Sequence, residues 1–238
     1  MELWIYTRKG GMFVITEKID IIDIYESLRD RLVSAEFSPQ QRIRAEDLRL
    51  EYGVSASTIR EILFRLSTQG LIDFQEQRGF RKPEQIAELQ NELTHFRILL
   101  ECEGAVLSVR NGGIAWEAKL SAAHYALSHI EKRAKDHQPS PELLFLWVRA
   151  ELDFHQTLID ACRNEVLKQT HETVFFRHRQ QLNTQDRDFH KVSQNIHHHK
   201  KIVDAALEKD EELVKQHIKE HLVQNLAKIE IQHDAIER

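Results

Sequence analysis

The sequence predicts a mainly α-helical protein, with one small β-hairpin near residue 76 and an all-helical region behind it. Glycine and proline are scarce, at 8 and 4 of 238 residues, whereas sheet-rich chains need more turn residues. Apolar residues recur at helical spacing over long stretches. We therefore predict two domains, spanning residues 17–83 and 84–238.

The first two helices are predicted from apolar spacing and from the residues that end them. The pattern IDIIDIYESLRDRLVSAE predicts a helix over residues 19–36, and Pro39 disfavours helix in the residue before it. A short helix is expected at Ala45–Glu51. Tyr52-Gly53 then makes a tight break before the next element.

The segment SASTIREILFRLSTQG is typical of a helix with both ends marked. Ser55 can cap its N-terminus, and Gly70 is expected just past its end. One apolar stripe runs along it, formed by Ile59, Leu63 and Leu66. The polar residues largely off that stripe are Ser57, Thr58, Arg60 and Glu61.

After Gly70, the segments LIDFQ and FRKP predict two short strands around a turn with a basic tip at residues 76–79. The order helix, helix, tight turn, polar-faced helix and hairpin predicts a winged helix-turn-helix, whose third helix fits the DNA major groove. The predicted DNA contacts are Arg44, Ser55, Ser57, Thr58, Arg60, Arg78 and Gly79. The alternatives are an ordinary solvated helix and a winged helix used for protein contact.

Charge is distributed unevenly along the chain. The whole chain has a formal net charge of −5, but residues 42–82 carry eight basic and six acidic side chains, a net charge of +2. The basic side chains are Arg42, Arg44, Arg49, Arg60, Arg65, Arg78, Arg81 and Lys82. A local basic surface is what phosphate contact requires, whatever the total charge.

From Pro83 onward the pattern predicts helices throughout, at Glu84–Arg110, Ile114–His137, Pro141–Cys162, Glu165–Leu182, Phe189–Lys209 and Glu211–Ile236. Six amphipathic helices with short connections predict a bundle, whose core is a natural place for a ligand or a metal. No run of about 18 uncharged apolar residues is present, and no secretory signal is recognisable. We expect a cytoplasmic protein with no membrane partner.

Four side chains in this half have the spacing of a metal site. Glu151 and His155 are four residues apart and share one helix face. His199 and His221 each lie eleven residues from Asp210, which places them about 16 Å from the turn of a helical hairpin. Such a set suits zinc, nickel, cobalt or manganese. Helix-surface histidines are the alternative, and other histidines have similar spacings, at positions 197, 198 and 217.

Several of these motifs resemble a known family. RIRAEDLRLEYGVSASTIREILFRLSTQGLI and QRGF resemble the DNA-binding half of the GntR family of bacterial regulators. The second half resembles the all-helical ligand domain of its FadR-type branch, the FCD domain, at HFRILLE, ELDFHQTLIDACRNEVL and HKKIVDAALEKDEELVKQHIKEHL. The resemblance covers about residues 19–230.

The resemblance implies roles for the same residues. An aspartate, a histidine four residues later and two further histidines usually bind a divalent metal, and they fall on Glu151, His155, His199 and His221. An arginine early in the first bundle helix commonly binds the effector carboxylate, and Arg97 matches it; a structural pair with Glu101 is the alternative.

The chain departs from the family pattern at two positions. Glu151 stands where aspartate is usual, which changes the reach of that ligand. Ala56 stands where an arginine usually reads guanine, so the operator sequence cannot be transferred from relatives.

The function that follows is a homodimeric DNA-binding transcriptional regulator, expected to be a repressor. It binds double-stranded operator DNA and responds to a small carboxylate such as a sugar acid or a hydroxy acid, held near a divalent metal, with zinc first and nickel, cobalt or manganese next. One alternative is a metal-dependent hydrolase using the Glu/His cluster. Another is an effector-free regulator with a structural metal.

Overall fold

The computed structural model describes residues 4–9, 12–18, 20–34, 36–136, 140–182 and 192–228. The chain divides into two compact units, Met1–Glu84 and Gln85–Arg238. Each unit has its own core. The prediction of a mainly α-helical protein with a small wing and a helical second half is confirmed.

The first unit begins with an antiparallel hairpin of β1 (Trp4–Lys9) and β2 (Met12–Lys18). No structure is predicted for residues 1–16 from the sequence. Both strands are rich in β-branched and aromatic residues and flank Gly10-Gly11, which is a recognised hairpin pattern.

Three helices follow the hairpin: α1 (Ile21–Val33), α2 (Ala45–Tyr52) and α3 (Ala56–Thr68). A capping box between Asp20 and Asp23 begins α1. The predicted stripe of α3 is fully buried, and so is Ile62, which widens it. These side chains form one apolar core with α1 that includes Ile24, Leu28, Leu32, Ile59, Leu63 and Leu66.

The wing belongs to a three-stranded sheet. Strand β3 (Arg42–Ile43) precedes α2, and β4 (Asp73–Gln75) and β5 (Gly79–Arg81) form the hairpin. The strand order is β3-β5-β4, with all pairs antiparallel. The hairpin was predicted but β3 was not, because a strand of two residues is too short to show alternation.

The second unit is helical across its described residues: α4 (Ala87–Asn111), α5 (Ile114–Asp136), α6 (Pro141–Ile159), α7 (Glu165–Gln181), α8 (Val192–Leu207) and α9 (Glu211–Leu222). Short 3₁₀ turns follow α6 and α9, at Asp160–Cys162 and Val223–Asn225.

Three predicted helix ends in this unit were wrong by three residues or more, and one of them is the end of the third helix, which lies at Ile159 and not at Cys162. The first helix starts at Ala87 and not at Glu84, since the three residues after Pro83 are extended or irregular. The last helix ends at Leu222, and residues 226–228 are irregular. The predicted helical residues 137, 189–191 and 229–236 lie outside the described residues.

One apolar core joins the helices of this unit, with fully buried side chains that include Leu120, Phe154, Leu158, Ile202, Ile218 and Leu222. Buried polar side chains lie beside it on α4, α5, α6, α7, α8 and α9, and they form the second of the two sites below. Within the part of the chain that the structure describes, no helix is both long and apolar enough to cross a membrane.

Candidate functional site

The connection between α2 and α3 fixes the position of α3. Gly53 ends α2 in the left-handed conformation, with φ +67°, which favours glycine. Val54 is buried behind it. Ser55 caps α3, since its Oγ accepts from the backbone N–H of Thr58 at 3.1 Å. The first turn of α3 is therefore capped directly after the turn that ends α2.

The outward face of α3 presents some of the predicted DNA contacts. Ser57 and Arg60 are exposed, and Arg60 Nη2 lies 3.4 Å from Glu46 Oε1, an ion pair that solvent screens. Thr58 points inward: it is 8% exposed, and its Oγ1 lies 2.8 Å from Ser55 Oγ. Ser55, Ser57 and Arg60 are thus the predicted contacts of this turn that are exposed, whereas Thr58 is not.

The wing presents a second basic group. Arg78 is exposed at the tip, and its backbone N–H donates to the carbonyl of Gln75 at 3.0 Å. Gly79 has φ +73°, and the guanidinium of Arg42 lies beside it, 3.9 Å from where a Cβ would stand. Arg44 is exposed at the start of α2.

One basic residue of the segment 42–82 does not belong to its surface. Lys82 is buried, and its Nζ donates to the carbonyl of Phe37 at 2.7 Å. Burial lowers the pKa of this ammonium. The basic surface expected from the sequence is therefore smaller by one charge, because Lys82 anchors the end of β5.

In the helical unit three buried histidines converge from three helices. They are His155 on α6, His199 on α8 and His221 on α9, and one ring nitrogen of each lies within 4.8 Å of the others. Nε2 of His199 lies 3.2 Å from Nε2 of His221. Two nitrogen ligands of tetrahedral zinc, at bonds of about 2.0–2.1 Å, are separated by about 3.3 Å. The spacing of this pair fits such a metal.

Two of the three rings are oriented by carboxyl groups. Nδ1 of His155 donates to Oε2 of Glu101 at 2.7 Å, and Nδ1 of His199 lies 3.2 Å from Oε1 of Glu131. Metal-binding histidines are commonly held in this way through their other nitrogen. Nε2 of His155 is buried with no hydrogen-bond partner among the described residues. A lone pair oriented and left without a partner in the core is what a metal ligand provides.

The electrostatics of the cluster keep its histidines neutral. Burial lowers the pKa of His155, and it places the pKa of His199 and of His221 well below the ordinary value. Burial raises the pKa of Glu101, but Arg97 and the two histidines bonded to it outweigh that effect, so its pKa lies well below the ordinary value. Neutral imidazoles are the form that binds metals.

The structure places the fourth predicted metal ligand, Glu151, one turn from His155 on α6. Its Oε2 lies 2.8 Å from Nη1 of Arg179 on α7. Among the described residues, the ligand atoms that converge belong to the three histidines, and Glu151 is not one of the group. The structure thus brings three of the four predicted ligands together and pairs Glu151 with an arginine.

Arg97 is fully buried on α4, and of the two roles predicted for it the structure shows the pair with Glu101, while effector binding stays a prediction. Its Nε donates to Oε1 of Glu101 at 2.5 Å, and its guanidinium carbon lies 4.7 Å from the ring centroid of Phe175. Its Nη2 has no hydrogen-bond partner among the described residues. The ion pair with Glu101 is therefore present, Nη1 lies 3.4 Å from Nδ1 of His178, and Nη2 is the guanidinium nitrogen that these contacts leave unused.

Several polar residues around this cluster were not predicted from the sequence. Glu101 was considered only as a partner of Arg97, and it also accepts from Nε2 of His171 at 3.0 Å. Glu131, His171 and Arg179 were not predicted at all. They lie on other helices, so no sequence spacing relates them to the histidines.

Two family descriptions match the chain. The FCD domain matches residues 92–224, more than half of the chain, and the "Bacterial regulatory proteins, gntR family" description matches residues 22–81. The second match contains α2, α3 and the wing, and the first contains the three converging histidines and Arg97.

Curated relatives and a solved structure agree with these matches. The chain is 29% identical to the HTH-type transcriptional regulator BphR of Paraburkholderia xenovorans over 205 residues, which are 85% of this chain and 82% of BphR. It is 26% identical over 157 residues, 66% of this chain and 70% of the relative, to the HTH-type transcriptional repressor GlaR of Escherichia coli. McbR/YncC of E. coli shares the fold, with a TM-score of 0.74 and 18% identity, over 87% of this chain and 95% of that one.

Proposed function

Since the chain belongs to the gntR family of bacterial regulatory proteins and carries an FCD domain, we propose that it is a repressor whose helical unit binds a small carboxylate beside a divalent transition metal. Family members and relatives are transcriptional regulators, so the chain is a DNA-binding regulator and not an enzyme. The hydrolase alternative is thereby set aside. The observation that carries the proposal is the convergence of three buried, neutral histidines beside Arg97.

The DNA-binding role of the first unit is supported by its outward-facing groups. Ser57 and Arg60 project from the first turns of α3, and Arg78 projects from the wing. A helix in the major groove presents its N-terminal residues to base edges, while a wing contacts the backbone or the minor groove. We propose that Arg60 contacts a base or a phosphate and that Arg78 contacts the backbone beside it.

Three imidazoles would hold the metal, through Nε2 of His155 and the adjacent Nε2 atoms of His199 and His221. Glu101 and Glu131 orient two of the rings. Glu151 stays our proposed fourth ligand, and it would have to loosen its pair with Arg179 to reach the metal. When bound, the metal supplies a positive charge that attracts an effector carboxylate. Zinc is the first choice for this donor set, followed by nickel, cobalt and manganese.

Arg97 is the proposed effector contact on the protein side. Its Nη2 is buried and without a hydrogen-bond partner among the described residues, although a buried guanidinium N–H left unpaired costs about 1–3 kcal/mol or more. An effector carboxylate would remove that cost. Sugar acids and hydroxy acids are the proposed classes of effector.

Effector binding would control DNA binding by linkage. An effector changes operator affinity only by the ratio of its affinities for the DNA-competent arrangement and for the other arrangement. We propose a homodimer, because two copies of the first unit match the two half-sites of a palindromic operator. The relative GlaR is named a repressor, and this supports repression over activation.

Metal content tests the proposal directly. We expect about one equivalent of a transition metal per purified chain, measured by elemental analysis, and its loss in the double variant His199→Ala, His221→Ala. The matched control is His95→Ala, His129→Ala, which removes two histidines of the same unit outside the cluster, and it should keep the metal. Equal metal content in all three proteins would exclude the assigned site.

The effector is tested on the same proteins. Thermal-shift screening against sugar acids, hydroxy acids and dicarboxylates should identify acids that raise the melting temperature of wild type by mass action. Such an acid should also change affinity for an operator fragment selected from random DNA. Metal without any stabilising acid would instead indicate a regulator with a structural metal.

A further inference from the structure

An exposed aromatic cluster joins α3 to the wing. Phe64 on α3 is 52% exposed, and Phe74 on β4 is 42% exposed. The ring centroids of Phe64 and Phe74 lie 5.9 Å apart in an edge-to-face arrangement, and those of Phe74 and Phe80 lie 4.8 Å apart. Phe80 is half-buried and stands directly opposite Phe74 in the hairpin, so both rings lie on one face of the wing.

The core of the first unit does not account for Phe64. Ile59 and Leu63 on the buried face of α3 are fully buried, whereas Phe64 lies on the opposite face. At an exposed helix position, arginine, lysine and glutamate are better helix formers than phenylalanine. Single exposed apolar side chains are common, but adjoining exposed rings form a patch, and such patches mark binding surfaces.

Phe64 stands on the face of α3 that carries the proposed DNA contacts. The exposed positions Ser57, Arg60, Glu61 and Phe64 follow the spacing i, i+3, i+4, i+7, which places them on one side of the helix. The recognition helix of homeodomains reads the major groove with four positions at this same spacing. The position of Phe64 is therefore one that can reach a base edge.

The surroundings of the patch favour DNA over an apolar protein partner. Arg60 precedes Phe64 by one helical turn, and Arg78 lies at the tip of the hairpin that carries Phe74 and Phe80. Both arginines are exposed, and cations at the edges of an apolar patch match the phosphates that flank a groove. The apolar group that the major groove presents is the 5-methyl group of thymine, and phenylalanine is among the side chains that contact it.

We infer that Phe64 contacts the 5-methyl group of a thymine in the operator and is a specificity-determining residue. The inference rests on the proposed DNA-binding role of α3 and adds a base preference to it. The edge-to-face contact with Phe74 orders the Phe64 ring before DNA binds, so little conformational entropy is lost in the complex. Phe64 lies about 6 Å from Arg60 along the helix axis, which is the rise of about two base pairs.

The test removes the methyl group alone. An operator fragment is first selected from random DNA with purified full-length protein, and each of its thymines is then replaced in turn by deoxyuridine. Fluorescence anisotropy measures the affinity for each fragment. For wild type we expect at least one replacement to weaken binding by about fourfold, the factor that corresponds to one buried methyl group. That thymine should lie within about two base pairs of the position at which Arg60→Ala relaxes the preference.

The decisive variant is Phe64→Ala. It should bind the thymine and deoxyuridine fragments equally at the sensitive position and keep the wild-type ratios at the other thymines. Phe64→Leu keeps an apolar side chain and should retain a preference of about twofold. Ile22→Ala is the matched control, because Ile22 is 58% exposed on α1, and it should keep every ratio. If Phe64→Ala does not fold, as judged by circular dichroism, Phe64→Gln takes its place with the same expected result.

The outcomes separate this inference from the proposed function. A wild-type scan without a sensitive thymine would overturn the inference, and so would a sensitive thymine whose ratio persists in Phe64→Ala. If Arg60→Ala weakens operator binding in either case, the proposed role of α3 stands without Phe64. If Phe64→Ala keeps every ratio while fewer chains bind per operator, the patch holds a second copy of the chain and the inference is wrong. If Arg60→Ala and Phe64→Ala both bind like wild type, the inference and the proposed role of α3 fail together.

Discussion

The two units place their functional charges in opposite environments. In the DNA-binding unit the side chain of Arg60 is 60% exposed, and the core beneath it is apolar, with Ile59 and Leu63 fully buried. In the helical unit Arg97 and Glu101 are fully buried and Arg179 is 2% exposed. The candidate site of the first unit lies on the surface above an apolar core, whereas the candidate site of the second unit lies inside the core.

This difference determines how function and stability are related in each unit. An exposed ion pair such as Arg60–Glu46 contributes at most about 1 kcal/mol, so its residues can change with little effect on folding. Removing one partner of a buried pair leaves an uncompensated charge, at a cost of about 3–5 kcal/mol. Substitutions should therefore separate function from stability in the first unit and not in the second.

The largest expected effect comes from Glu101→Leu. This substitution leaves Arg97 buried without its anionic partner and removes the acceptor of His155 and His171. We expect the helical unit to lose about 3–5 kcal/mol of unfolding free energy. Urea unfolding followed by tryptophan fluorescence measures it, because Trp116 and Trp147 are both buried in this unit.

Glu103→Leu is the control for this prediction, since Glu103 is exposed on the same helix. Its unfolding free energy should stay within about 0.5 kcal/mol of wild type. If the two variants unfold at the same urea concentration, Glu101 is not the centre of a buried charge cluster, and the contrast between the units disappears.

A smaller effect is expected for Arg60→Ala, and on DNA affinity alone. Binding to an operator fragment selected with wild type should weaken by about 1–3 kcal/mol, measured by fluorescence anisotropy. Thermal unfolding should not change, since the side chain is exposed. Arg65→Ala is the comparison, because that guanidinium lies near the ring of Tyr25, 4.9 Å from its centroid. Unchanged operator affinity in Arg60→Ala would remove its assigned role.

The smallest effect is expected for Ser55→Ala, which removes the cap of α3. The first unit should lose about 1 kcal/mol, because the backbone N–H of Thr58 loses its acceptor. Hydrogen exchange at that N–H should accelerate about fivefold. In Ser57→Ala the exchange rate should be that of wild type, while operator affinity falls. Faster exchange in Ser57→Ala and unchanged exchange in Ser55→Ala would contradict the assignment of Ser55 as the cap.

The sequence predicted the helices best where apolar spacing and end residues agreed. Ser55, Gly70 and the stripe of α3 defined that helix to within a residue or two. The last helix was predicted too long because the sequence beyond Leu222 keeps a helical pattern, while Val223–Asn225 turns into a 3₁₀ segment. The N-terminal hairpin was missed although its strand pattern was readable.

Within the site, spacing found the residues that share a helix or a helical hairpin. His155, His199 and His221 were predicted and do converge. The groups that complete their surroundings, Glu131 and Arg179, come from helices with no fixed sequence relation to them. Only packing brings those helices together, so the periodicity of the sequence cannot predict such pairs.

Strand β3 has a mechanical consequence for DNA binding. It pairs Arg42 with Arg81 at the base of the wing, and Lys82 bonds to the loop after α1. The wing is thereby tied to the segment that leads directly into α2, and through the Gly53 turn to α3. Arg60 and Arg78 therefore lie on elements that are joined to each other through β3 and α2. If both side chains contact DNA as proposed, a regulatory signal would present or withdraw them together.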